Sequence, residues 1–106
     1  DKVISIIEHN MKKGIDVDIN TIAREVGLSK SSFYRKIKLI TDLSPVEFVK
    51  NIRLKHAYEL LEGGETSLDA IAYSTGFSGA KYLSTCFKEQ FGITPTEFLR
   101  KRGLVD

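Results

Sequence analysis

Ser31, Tyr34, Arg35 and Lys38 fall at i, i+3, i+4 and i+7, so on a helix they share one face. They combine a hydroxyl, a phenol, a guanidinium and an ammonium. An arginine fork matches the O6 and N7 acceptors of guanine, a lysine is suited to a phosphate, and a tyrosine can meet a thymine methyl or a phosphate. Lys81, Ser84, Thr85 and Lys88 repeat the spacing later in the chain. This second set has two cations and no arginine, and its hydroxyls read either base ambiguously. Taken singly, Lys38 and Lys88 are better explained as solvated side chains.

Catalytic chemistry is thinly supplied. His9 and His56 stand far apart, without a His-x-x-x-His pair. Cys86 lies between Leu83 and Phe87, a setting for a buried thiol rather than a nucleophile. Gly63-Gly64 reads as a helix stop, not a phosphate loop, and no serine stands in a nucleophile-elbow context. No enzymatic activity, cofactor or metal is expected.

The 106 residues, 42% hydrophobic and 28% charged, suit one folded domain or two very small ones sharing a helix. No apolar run approaches a membrane span, no secretory signal is visible, and no separate apolar face is available for a membrane surface. The first residue is Asp1, so an excerpt from a longer protein is expected. A single cysteine cannot form an internal disulfide, which agrees with a reducing compartment, the cytoplasm. The net charge of +2 hides a gradient. Residues 27–58 hold seven basic residues and two acidic ones, a local +5; residues 1–26 come to −1 and residues 59–106 to −2. The basic stretch is a candidate footprint for a polyanion.

The elements that must position these residues are helices throughout. Ile4, Ile7 and Met11 mark a first helix, stopped at Gly14. Asp18 can cap a second, with Ile19, Ile22, Ala23 and Val26 inward and Gly27 as its end. Ser29 can cap a third, whose apolar stripe is Phe33, Ile37 and Ile40. Ser44-Pro45-Val46-Glu47 is a capping box with proline in the first turn. The fourth helix runs from there to Glu62, about 27 Å long at 1.5 Å per residue. Thr66 or Ser67 can cap a fifth, with Leu68, Ile71 and Ala72. Ser78 can cap a sixth, with Leu83, Phe87 and Phe91 inward. Thr94-Pro95-Thr96-Glu97 opens a seventh. The expected fold is all-α.

The two halves repeat. Ile22-Ala23, Gly27 and Ser29 return as Ile71-Ala72, Gly76 and Ser78, at an offset of 49. Lys38, Ser44-Pro45 and Glu47-Phe48 return as Lys88, Thr94-Pro95 and Glu97-Phe98, at an offset of 50. The one-residue slip lies near the start of the third helix of each half. The duplication predicts two helix-turn-helix subdomains, residues 1–43 and 63–106, joined by a linker helix over 44–62. In each copy a small alanine lets two helices approach, a glycine turns the chain, and Phe33 or Leu83 anchors the second helix on the first. The helix after the turn is the one that enters a major groove.

The run Ile22-Ala23…Gly27-Leu28-Ser29…Phe33-Tyr34-Arg35-Lys36-Ile37-Lys38 resembles the first reader of the AraC/XylS-type DNA-binding domain. Ser44-Pro45…Ile52-Arg53-Leu54…Ala57…Leu60-Leu61 resembles its linker helix. Ile71-Ala72-Tyr73…Gly76-Phe77-Ser78…Tyr82-Leu83…Phe87-Lys88…Phe91-Gly92-Ile93-Thr94-Pro95…Phe98 resembles its most recognisable segment. The resemblance implies seven helices, two readers in adjacent major grooves of double-stranded DNA, and control of bacterial transcription by activation or repression, activation being the one expected, with RNA polymerase as a partner. Candidate contacts are then Ser29, Lys30, Ser31, Tyr34, Arg35 and Lys38, and Ser78, Ala80, Lys81, Ser84, Thr85 and Lys88. Residues 31–38 are also similar to versions fused to hybrid two-component sensors. Dimerisation, where it occurs, falls to an upstream region. The family often has arginine or lysine where this chain has Thr85, and Asp-Pro or similar at Gly79-Ala80, so the second reader is expected to discriminate less. The alternative is a helical protein-interaction module without DNA readout, which salt dependence distinguishes.

Overall fold

The computed structural model describes residues 5, 6, 9 and 19–104. Six helices are delimited among them: α1 (Ile19–Glu25), α2 (Lys30–Thr41), α3 (Pro45–Glu62), α4 (Leu68–Thr75), α5 (Ala80–Phe91) and α6 (Pro95–Lys101). Among the described residues no strand occurs and no helix is long and apolar enough to cross a membrane. Seven helices were expected. Of the first, Ser5, Ile6 and His9 are helical, while its markers Ile4, Ile7 and Met11, the Gly14 stop and the Asp18 cap lie outside the described residues.

Short polar side chains start most of these helices. Ser29 Oγ accepts the Ser32 N–H at 3.2 Å, and Ser67 Oγ accepts the Ala70 N–H at 3.2 Å. At α3 the Ser44 hydroxyl accepts the Glu47 N–H, while Glu47 Oε1 accepts both the Ser44 hydroxyl, at 2.9 Å, and its N–H. Thr94 and Glu97 make the same reciprocal pair at α6. Ser78 does not cap α5. That place is taken by Gly79, in extended backbone and without a side-chain bond. The turn bond from Leu28 N–H to Ala23 O recurs as Phe77 N–H to Ala72 O, both 2.9 Å, at an offset of 49. The next helices begin at Lys30 and Ala80, an offset of 50. Gly79 is therefore the extra residue, and it moves Ser78 one place off the cap.

Both carboxyls of the capping boxes sit below the usual carboxylate range. The Ser44 hydroxyl and then the Ser44 N–H hold Glu47 down; the Thr94 N–H and then its hydroxyl hold Glu97 down. A depressed folded pKa stabilises above the unfolded value and is lost as pH falls through the folded one. Thermal melts should accordingly drop on acidification below the ordinary glutamate range. The Glu47→Gln/Glu97→Gln variant should show a shallower drop.

The chain divides into two compact units, Asp1–Ile52 and Arg53–Asp106. In the first, Ile22, Ala23, Phe33, Ile37, Phe48, Val49 and Ile52 form the core, with Ile6, Val26, Leu28 and Leu43 packed against it. Ile40 does not join them; it is 57% exposed. It stands on the last turn of the twelve-residue α2, outside the cluster that Phe33 and Ile37 enter. In the second unit the core is Leu54, Ala57, Leu61, Ile71, Ala72, Phe77, Leu83, Cys86, Phe87, Phe98 and Leu99. Phe91, expected inward, is only half-covered: its ring rests on Tyr58 and Phe87, with centroids 5.1 and 4.5 Å away, and its other side is open.

Helix α2 ends on Asp42 at φ +61°, where its counterpart α5 ends on Gly92 at φ +84°. The left-handed conformation costs an ordinary L-residue roughly 1–2 kcal/mol, less for aspartate, whereas glycine takes it freely but loses more chain entropy on folding. Asp42→Gly should therefore stabilise the chain by about 0.5 kcal/mol in urea unfolding.

Candidate nucleic-acid interface

In the first unit α1 turns through Gly27, at φ +76°, into α2. Ala23 is buried at the crossing, and its carbonyl takes the Leu28 N–H. Phe33 and Ile37 bury one face of α2. The other face leaves Lys30, Ser31, Tyr34, Arg35, Lys36 and Lys38 exposed. Ser29 is exposed but committed to its cap, donating its hydroxyl to Ser32 Oγ at 3.0 Å as well. Lys38 Nζ donates to the Asp42 carbonyl at 3.2 Å. An ammonium carries three donors, so two stay available for a phosphate. Arg35 is the one guanidinium among the candidate contacts.

The second unit repeats this with Gly76 at φ +84° and Ala72 buried beneath the turn. Ser78, Lys81, Thr85 and Lys88 are exposed; Ala80 and Ser84 are half-buried. Thr85 Oγ1 donates to the Lys81 carbonyl at 3.1 Å, so its proton is spent within α5. Ser84, Thr85 and Lys88 also share a shallow depression with the acidic Glu89. The chemistry offered outward is poorer than that of α2: two ammoniums, a half-buried hydroxyl and a nearby carboxylate.

The basic stretch over 27–58 is not wholly surface. Lys30, Arg35, Lys36, Lys38 and Lys55 are exposed, whereas Lys50 and Arg53 are half-buried. Periodicity did not single out Tyr73, which is 88% exposed on α4. No residue pattern marks it, because an aromatic at that spacing reads equally as core. Among the described residues no group of three His, Cys, Asp or Glu side chains could hold a metal.

The chain matches a family model described as a helix-turn-helix domain over residues 22–101. It is 34% identical over 96 residues to the HTH-type transcriptional activator RhaS of Mannheimia succiniciproducens, covering 91% of this chain and 35% of that protein. It is 37% identical over 97 residues to Histidine kinase P4 of Formosa agariphila, covering 92% of this chain and 7% of that protein. The chain thus spans well under half the length of these relatives. An AraC-type DNA-binding protein from Chromobacterium violaceum superposes with a TM-score of 0.85 at 28% identity, over 94% of this chain and 88% of that one. The DNA-binding domain of AdpA, solved in complex with a target DNA, superposes with a TM-score of 0.81 at 27% identity, over 95% and 92%.

Proposed function

The chain belongs to the AraC-type helix-turn-helix family of DNA-binding transcription regulators, and from that premise we propose that it reads duplex DNA with two helices, α2 and α5, laid in adjacent major-groove segments. One observation carries most of this reading. Helix α2 buries Phe33 and Ile37 and turns an exposed Arg35 outward, flanked by Tyr34, Ser31 and Lys38, directly after a glycine turn. In this reading Arg35 forks onto a guanine, Tyr34 and Ser31 meet a base edge or phosphate, and Lys30 and Lys38 hold the backbone. Helix α5 adds Lys81 and Lys88 on phosphates, with Ser84 and Thr85 near the bases. One chain supplies both readers, so the site needs no palindrome.

We assign the chain a role in transcription activation, with RNA polymerase as partner and the cytoplasm as its place of action. RhaS supports this as a relative named an activator. A link to two-component signalling is supported by the relative named a histidine kinase and by the C-terminal domain of AraT, a response regulator from Geobacillus stearothermophilus, with a TM-score of 0.76 at 25% identity. Dimerisation, where it occurs, is assigned to a region outside these 106 residues.

The direct test is duplex binding against salt. With about four phosphates neutralised by Lys30, Lys38, Lys81 and Lys88, log K should fall with log salt at a slope of roughly −3.6, an affinity loss of about 10²-fold between 50 and 200 mM. Association that ignores salt would instead favour an apolar protein partner.

A further inference from the structure

We propose that Arg53 is a positioning residue for the second reader, bracing the turn between α4 and α5; this rests on the reading of α5 as a DNA-contacting helix. A Cβ placed on Gly76 would lie 3.1 Å from Arg53 Nε, 3.4 Å from Cζ and 3.6 Å from Nη2. Three guanidinium atoms therefore lie against that one glycine. At the matching Gly27 nothing among the described residues comes within 4 Å. Positive φ explains glycine at both turns; close approach of a side chain explains it only at Gly76.

The arginine is held to this task from its own helix. Its neighbours in sequence on α3, Ile52 and Leu54, are buried, and its Nε is shielded from solvent. A planar guanidinium suits packing against a glycine backbone in a way that a lysine ammonium on a flexible stem does not.

The second turn also has more need of a brace. The first contains one glycine and closes on a serine cap. The second contains Gly76 and Gly79, one residue more between the turn glycine and the next helix, and that helix starts without a side-chain cap. An uncapped, two-glycine turn leaves the angle of α5 less determined by its own residues. Gly76 bonds back to the end of α4, through Ala72 and Tyr73 carbonyls, so pressure on Gly76 is pressure on the hinge between the two helices.

The test uses the 106-residue chain as Arg53→Met and Arg53→Lys. Amide exchange at Phe77, whose N–H closes the braced turn, should quicken about tenfold in both variants. Exchange at Leu28, in the unbraced turn, and in the core of α3 should stay as in the unmutated chain. Duplexes selected from a random pool by the unmutated chain provide the second readout. Mismatch discrimination in the segment cross-linked to α5 should fall about threefold or more, with the α2 segment unaffected. Unchanged Phe77 exchange, equal quickening at Leu28, or full retention of wild-type behaviour by Arg53→Lys would each overturn the brace. Failure of the unmutated chain to select any duplex would strike the DNA reading instead.

Discussion

Phe33→Ala should lower the unfolding free energy of the first unit by about 3–5 kcal/mol, the usual cost of emptying a phenylalanine site in a closed core. The ring is fully buried among Ile22, Ala23, Ile37, Phe48, Val49 and Ile52. Those neighbours come from α1, α2 and α3, so none can close the gap without moving a helix. A loss of this size is comparable to the stability of a unit this small. The duplication supplies an internal control. The position fifty residues on is Leu83, equally buried, so leucine is a side chain this seat accepts. Phe33→Leu should cost only about 1 kcal/mol. Urea unfolding followed by circular dichroism measures both. A small loss in Phe33→Ala would mean that α2 is not anchored where its outward face needs it.

Arg35→Ala should weaken binding to a selected duplex by about 1–3 kcal/mol and relax the preference at one guanine. Its guanidinium stands exposed, one residue past Tyr34 and two past the buried Phe33, which is what a base reader on the outer stripe requires. The comparison that isolates the role is random DNA. A base contact loses affinity for the selected site and little for random sequence. A phosphate contact loses both alike and reduces the salt slope by about one. Equal losses on the two DNAs would remove Arg35 from base reading.

Much of this was legible in the residues because the signals were local. The i, i+3, i+4, i+7 stripe from Ser31 to Lys38 is opposed by the Phe33 and Ile37 pair, and both faces went where helical geometry sends them. The Ser44 and Thr94 capping boxes closed because a hydroxyl and a carboxylate three residues apart meet only on a helix start. The misreadings arose where position depends on something not local. Ser78 looked like a cap because Ser29 is one, yet the extra residue, Gly79, sits between it and α5. Ile40 keeps the phase of Phe33 yet is exposed at the end of α2, because periodicity gives the face of a helix and not how far along it the core extends. Arg53 carries the same charge as the exposed Lys55, and charge does not reveal that its guanidinium lies against Gly76. The hydroxyl of Thr85 donates to the carbonyl four residues back, which leaves it only an acceptor to offer outward, a local competition that the outer stripe does not reveal.

The central claim is that one chain reads DNA twice and unequally. Base-by-base substitution of a duplex selected by this chain tests it most directly. Two separate segments should carry penalties, with about 1–3 kcal/mol per mismatch in the segment under α2 and clearly less under α5. A single penalised segment, a strictly palindromic site bound only by paired chains, or equal penalties in both segments would contradict it.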